Sequence, residues 1–382
     1  MKHLLPIAAI ACLAVAAACS EPTAPAPANS AARAYAAHDA ARSTDRITVY
    51  TQNLYVGADV DAIIDALTSG DQGAAFAALA NAVATLHRTD FDTRAAAIAD
   101  EIARSHPDVV GFQEGSKIDV DLTQLGYPQL VAHEDFLASL GTVLATRGLT
   151  NYTVVDTVTD VQASLLFGLV SLIDYDIMLV NTDRVTVNSH HKQNFVHNDG
   201  PLGSDINLVR GFIRALITVE GRDYVVATTH AEGTDLTALG IDYHQLHVQQ
   251  MQEIVDDVNQ FDLPAIVMGD LNDADTTPMY DVLLDAGFAD LWRTLRPGVA
   301  GNTCCHLSDL SDPRPGRGEF EQRIDYIFVR GFAHSRAATG QITRFGLLPS
   351  DRLTGPDGTI WPSDHVGLVA TLVVPGAEGV TP

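Results

Sequence analysis

Six short apolar runs end or begin in a residue able to do acid–base, metal or phosphate chemistry. Val-Tyr-Thr-Gln leads to Asn53, Val-Val-Gly-Phe-Gln to Glu114, Val-Val-Ala-Thr-Thr to His230, and Ala-Ile-Val-Met-Gly to Asp270-Leu-Asn272. Arg323-Ile324 leads into Asp325 at the start of another run, and Ser363-Asp364-His365 precedes the last one. Carboxylates with an amide oxygen are hard ligands suited to Mg2+, which takes near-octahedral oxygen and keeps several waters. A histidine beside a carboxylate is an oriented donor that can hold a phosphoryl oxygen or move a proton. Together these groups suit metal-assisted hydrolysis of a phosphate ester. The chain has no Gly-x-Ser-x-Gly elbow, no His-Glu-x-x-His and no phosphate loop. Serine hydrolase, zinc protease and NTPase chemistries therefore have no positive support.

Each residue alone has an ordinary structural explanation. Asn53 fits a turn, Glu114 a surface carboxylate, Asp270-Leu-Asn272 a turn composition, Asp325 an ion pair with Arg323, and His230 a satisfied core histidine. The combination is what points to chemistry, because strand ends on one rim of a sheet core converge in space.

The elements that must position them read as follows. A strand is expected over 47–52, then Ala-rich helices near 59–68, 73–87 and 93–105, with Asp59 and Asp92 as N-caps. A buried strand over 108–113 is closed by Glu114, and 135–147 reads as helix. Further β runs fall at 152–158, 175–181, 184–189, 211–219 and 223–229, followed by a long helix over 241–260. Strand 264–269, helix 278–286, a Gly/Pro-rich loop over 297–319 and strands 324–330 and 366–374 complete the pattern. With no repeat and no internal linker, this predicts one domain over 47–375, built from packed sheets flanked by helices.

The ends read differently. Residues 1–18 have a basic start, an apolar stretch and small residues before Cys19, as in an export signal. Ala16-Ala17-Ala18-Cys19 resembles the end of a bacterial lipoprotein signal, although Ala16 stands where Leu is usual. That predicts lipidation of Cys19, a membrane anchor and a place in the cell envelope, with plain secretion as the alternative. Residues 19–46 read as a Pro/Ala-rich tether and 376–382 as a tail. The most apolar later stretch, 163–173, is too short to span a membrane. Cys304 and Cys305 are neighbours, and a vicinal disulfide, free thiols, and metal binding with His306 all stay open.

The motifs Tyr-Thr-Gln-Asn53, Pro-Asp-Val-Val-Gly-Phe-Gln-Glu114, Ala-Thr-Thr-His230, Gly-Asp270-Leu-Asn272, Arg-Ile-Asp325-Tyr and Ser-Asp364-His365, in this order, resemble the endonuclease/exonuclease/phosphatase superfamily with the deoxyribonuclease I-like fold. The resemblance covers residues 47–375. Asn-Leu-Tyr-x-Gly-Ala-Asp near the start and Thr-Cys-Cys late are similar to secreted bacterial members. The resemblance implies an α/β (α+β) fold: a four-layered sandwich of two mixed sheets face to face with helices outside. It implies that Glu114 is the main Mg2+ ligand, with Asn53 and Asp364 close to the metal and Mn2+ a possible substitute. It gives His365 the scissile phosphate, Asp325 the role of orienting His365, Asp270 the attacking water, Asn272 a phosphoryl oxygen, and His230 the other phosphate-side position. His247 and Gln250 fall where many members carry Arg and Gln for substrate, and Arg323 is a further substrate-binding candidate. The chain between Asn53 and Glu114 is longer than in many members, and with 163–173 it is expected either to shape the site or to pack outside.

The formal charge of −25 and pI near 4.6 argue against a broad basic nucleic-acid surface. They leave transient hydrolysis at one cleft open, since distant acids are screened beyond about 8 Å. Arg210, Arg214, Arg314, Arg317 and Arg323 are the groove candidates for a nuclease. The expected protein is a monomeric extracellular nuclease or general phosphodiesterase. A sphingomyelinase-like lipid phosphodiesterase, a small-molecule phosphatase and a non-catalytic binding module are the alternatives.

Overall fold

In the computed structural model, described over residues 46–202, 204–233, 242–313, 320–332 and 339–373, alternating apolar residues sort the chain into two sheets. The signal, Cys19, nearly all of the tether, Arg314, Arg317 and the tail lie outside the described residues. The chain opens with β1 (Arg46–Asn53) and helices α1 (Val60–Thr68), α2 (Gln72–Thr89) and α3 (Phe91–Ser105). Then follow β2 (Val109–Asp121), β3 (Val131–Asp135), α4 (Phe136–Thr146), β4 (Tyr152–Leu165), β5 (Val170–Asn181) and β6 (Val185–Asn194). Short strands β7 (Gly200–Leu202) and β8 (Ile206–Leu208) lead to β9 (Gly211–Val219), β10 (Arg222–His230), α5 (Tyr243–Val258) and β11 (Ala265–Asp270). The remainder is α6 (Pro278–Asp285), β12 (Ala289–Asp290), α7 (Leu291–Leu295), β13 (Asp325–Arg330), β14 (Thr339–Phe345), the β15 (Leu353–Gly355) and β16 (Gly358–Ile360) hairpin, and β17 (Gly367–Val373).

One sheet runs β14-β17-β1-β2-β5-β4-β8-β7, with β3 on β2, and the other runs β12-β13-β11-β10-β9-β6. Both are mixed: β1 is parallel to β2 and antiparallel to β17, and β10 is parallel to β11 and antiparallel to β9. Val49, Met178, Ile213, Val226, Met268 and Ile327 pack together between the sheets. On the outer face of the first sheet, Tyr50, Val110 and Phe112 meet Phe91, Ile98 and Ile102 of α3 and Phe136 and Leu140 of α4. On the outer face of the second, Val225, Val267 and Phe328 meet Met251, Ile254 and Val255 of α5 and Met279 and Leu283 of α6. Alternate residues of one strand thus serve opposite layers, as the two-residue side-chain period requires. The result is the expected four-layered sandwich.

Local details depart from expectation. The strand through Glu114 does not close there. It continues to Asp121 past a bulge between Phe112 and Gly115, with Glu114 at φ 55°. The β4 and β5 runs are longer than predicted, and the apolar 163–173 stretch forms their hairpin turn. Asp59 does cap α1, accepting the Ala62 N–H at 2.9 Å. Asp92 is not an N-cap: α3 starts two residues earlier, after Asp90, and Asp92 lies in its first turn.

Candidate active site

β1 ends at Asn53, whose Nδ2 donates to Glu114 Oε1 at 2.8 Å and to Asp270 Oδ2 at 3.0 Å. Its Oδ1 accepts the Tyr55 N–H at 2.8 Å, so the amide turns its donor group, not its oxygen, toward the two carboxylates. The β2 bulge swings Glu114 to the strand rim, where Oε2 accepts the Val56 N–H at 2.7 Å. Asp364 faces the same cleft. Burial raises its pKa to about 6, with Glu114's charge adding to the rise and His365 opposing it. Glu114 and Asp364 share one cleft, and among the described residues no guanidinium is hydrogen-bonded to either, an arrangement that fits a hard divalent cation.

Across the cleft, Asp270 ends β11 and Asp325 begins β13 as register partners, and His230 ends β10 as the register partner of Asp270 on the other side. His365 Nδ1 lies 2.9 Å from Asp325 Oδ2 and 3.6 Å from Asp270 Oδ2. Burial opposes its charge, yet Asp325, Asp270 and Asp364 outweigh that and hold the imidazole well above the usual histidine range. Asp270 goes the other way from a normal carboxyl: burial, then Asp325, push it up to about 7. Its Oδ1 accepts the Asn272 N–H at 2.9 Å. Asn272 sits at φ 50°, with its Nδ2 2.9 Å from His230 Nε2. His230 is held neutral, its pKa lowered by burial, by Arg210 and by His365.

Glu114, Asp364, His365, Asn272 and His230 line one cleft of about 340 Å³, with Tyr55, Val56, Asp59, Val60 and Ile64, while Asn53, Asp270 and Asp325 are buried behind these lining groups. The long Asn53–Glu114 connection therefore shapes the cleft with its first segment, while α2 packs away from it.

Other expected contributors take other places. His247 is fully buried on α5, with Nδ1 3.0 Å from Asp273 Oδ2 and Nε2 against the Glu232 carbonyl. Gln250 accepts the Glu232 N–H at 3.1 Å and donates to the His197 carbonyl at 3.2 Å. Both therefore fix the chain after His230 rather than lining the cleft. The Arg323 guanidinium is taken by Asp275 and Asp290 and lies over the Tyr326 ring. Arg214 is buried against Asp257. Arg210 is buried between His230, Asp174 and Glu232. None of these three forms an open basic groove. Cys304 and Cys305 form a disulfide on the cleft wall, and His306 binds Asp312 and the Gly346 carbonyl instead of joining a metal set.

Several residues that position the site had no role assigned from the sequence, although Ser363 and Gly111 lie inside its motifs. Buried Arg94 of α3 donates to the carbonyls of Leu54, Tyr55, Thr89 and Pro362, tying the loop after Asn53 to the one before Asp364. Ser363 Oγ donates to the Asn53 carbonyl at 2.7 Å and accepts the His365 N–H at 3.1 Å. Gly111 permits close approach of the sheets, since a Cβ there would lie 2.3 Å from Thr228 Oγ1.

Residues 85–365 match the Endonuclease/Exonuclease/phosphatase family. The chain belongs to that family. As an Endonuclease/Exonuclease/phosphatase protein it is a phosphoester hydrolase, and divalent metal dependence comes with the family. No curated protein matches the chain in sequence. An endonuclease/exonuclease/phosphatase from Beutenbergia cavernae is 21% identical, with TM-score 0.54, over 87% of this chain and 72% of that one. One from Bacteroides vulgatus is 15% identical, with TM-score 0.52, over 86% and 99%. The mannosyl-6-phosphatase of Bacteroides thetaiotaomicron is 16% identical, with TM-score 0.51, over 86% and 99%. At these identities the likeness is one of fold.

Proposed function

We propose that the protein is an exported Mg2+-dependent phosphodiesterase, with Mn2+ a working substitute, acting on nucleic acid or a smaller phosphodiester. The observation that carries this reading is the meeting of Glu114, Asp364, His365, Asn272 and His230 around one cleft, with Asp270 and Asp325 buried against His365. Glu114 and Asp364 are the residues to hold the cation, with Asn53 beside them. The bound cation would supply positive charge to the phosphoryl oxygens. The chain's own groups do the rest. Asp270, a carboxyl of raised pKa held by Asn53 and the Asn272 N–H, takes the proton of the attacking water. His365, kept protonated by Asp325, donates to a phosphoryl oxygen. Asn272 and neutral His230, linked to each other, hold a second oxygen.

The test is turnover of bis-nitrophenyl phosphate, nitrophenyl phosphate, plasmid DNA, RNA and sphingomyelin with Mg2+ and Mn2+. Diester cleavage that stops on chelation is expected. Turnover that survives chelation removes the metal, and a preference for the monoester makes the protein a phosphatase. No turnover of any of them returns the site to a binding role.

One observation favours sphingomyelin as a second reading. The tip of the β4–β5 hairpin exposes Leu166 by 45% and leaves Phe167 wholly uncovered, which suits contact with a lipid surface. The export signal over 1–18, the lipid on Cys19, a cell-envelope location and a monomeric state remain part of the proposal, supported by sequence alone. Mass spectrometry of the mature N-terminus tests the anchor, and an unmodified start away from Cys19 refutes it.

A further inference from the structure

Beside the cleft, two carboxylates lie in a place that water does not reach. Asp160 of β4 and Asp176 of β5 are both fully buried, and as anions none of their four carboxylate oxygens has a hydrogen-bond donor; a bond between the two side chains requires one of them to carry a proton. Their position is built by irregularities on both sides of β5. Asp160 is the extra residue of a bulge in β4, between Thr159 and Val161. Gln113 and Glu114, in the β2 bulge, stand opposite Asp176. Bulges re-aim side chains at defined points, and here both fall at one level of the same strand. The third member comes from the opposite sheet: ligand atoms of Asp160, Asp176 and His230 all lie within 4.8 Å of one another.

Two anions in such a place need neutralising, and burial holds both well above the usual carboxylate range. As anions, neither can donate to the other. A shared proton would satisfy one contact and leave other oxygens bare. Arg210 supplies part of the charge, but its hydrogen bonds go to Glu232 and His230 Nδ1, and its nearest approach to Asp174 is 4.0 Å. A cation answers both needs, since it takes several oxygens at once and also accepts an imidazole. Two carboxylates and one imidazole suit a first-row dication such as Mn2+ or Zn2+ better than Mg2+.

We propose that Asp160, Asp176 and His230 bind a divalent transition-metal ion that joins the two sheets beneath the catalytic cleft, separate from the cation assigned to Glu114 and Asp364. His230 receives Arg210 at Nδ1 in the structure. Arg210 can release that contact because its other nitrogens already meet Glu232. The proposal rests on the reading of Glu114 and Asp364 only in its count of ions.

The experiment is a Mn2+ titration followed by electron paramagnetic resonance, with Zn2+ content by mass spectrometry, on the purified full chain stripped by chelator. Wild type, Glu114→Gln, Asp176→Asn and Asp160→Asn/Asp176→Asn are compared, with the melting temperature of each measured with and without metal. Two ions are expected in wild type and one in each of Glu114→Gln and the double variant. The double variant is also expected to lose at least half of the metal-induced rise in melting temperature. If the double variant does not fold, Asp176→Asn is expected to weaken one class of site at least tenfold. Wild type that binds a single ion lost in Glu114→Gln overturns the proposal. So does an aspartate variant that keeps wild-type stoichiometry and melting shift, as a shared proton would give. Loss of an ion in the aspartate variants but not in Glu114→Gln instead counts against the catalytic assignment and leaves this one standing.

Discussion

Asp270 and Asp325 are register partners on neighbouring strands, and both carboxylates reach the same nitrogen of His365, at 3.6 and 2.9 Å. One imidazolium thus serves two anions that would otherwise repel each other. Asp325→Asn keeps the shape and removes one charge. Turnover is expected to fall about 100-fold, within the range for general acid–base groups. The alkaline limb of the pH profile is expected to move to lower pH, because His365 loses a carboxylate that holds its proton. An unchanged limb with near-wild-type turnover would take Asp325 out of the mechanism.

The same relationship sets the pH dependence. Asp270, raised to about 7, must be ionised to accept a proton, so kcat/KM is expected to rise as pH increases through about 7. His365 must be protonated to donate, and its raised pKa delays the alkaline fall to well above the ordinary histidine value of 6.5. The optimum is therefore alkaline of neutrality. A profile that is flat between pH 6 and 8 contradicts Asp270 as the base.

Arg94 is a buried cation bonded to carbonyls rather than to an acid. Arg94→Met fills similar space and leaves those carbonyls unpaired. Each buried unpaired group costs about 1–3 kcal/mol, so a loss of about 3 kcal/mol or more in urea unfolding is expected. Activity should fall further than stability explains, because both cleft walls are tied through this side chain. A change below about 1 kcal/mol would show that the loops hold themselves.

The cleft-wall cysteines give a chemical check. Without reductant, the peptide containing Cys304 and Cys305 should resist alkylation, and after reduction it should take two labels. Double labelling of the native, unreduced protein would return both to free thiols.

Much of this site was legible because a strand announces itself by its two-residue period and a polar residue at its end stands out. Asn53, His230, Asp270 and Asp325 stand at strand ends, His365 just before one, and Glu114 at a bulge that reads as an end. What the period cannot show is a bulge: Glu114 interrupts the alternation without ending the pairing, so the strand reads eight residues too short. Residues whose fate is set by a distant partner were also misread. His247 fits a substrate position until Asp273 and the Glu232 carbonyl occupy both its nitrogens, and Arg323 fits one until Asp275 and Asp290 take its guanidinium. Strand β14 escaped notice because its short, polar run, Thr-Gly-Gln-Ile-Thr-Arg-Phe, shows no clear apolar face. Arg94 and Asp160 have no local pattern at all, since each is explained only by what other segments bring to it.

β1 carries Asn53 at one end and Arg46 at the other, about 23 Å apart for seven steps of strand. Arg46 pairs with Val373, so the first and last described residues leave from the same pole, opposite the cleft. Cargo, fusion partners or immobilising tags joined to either end would hang from the base and leave the mouth unobstructed.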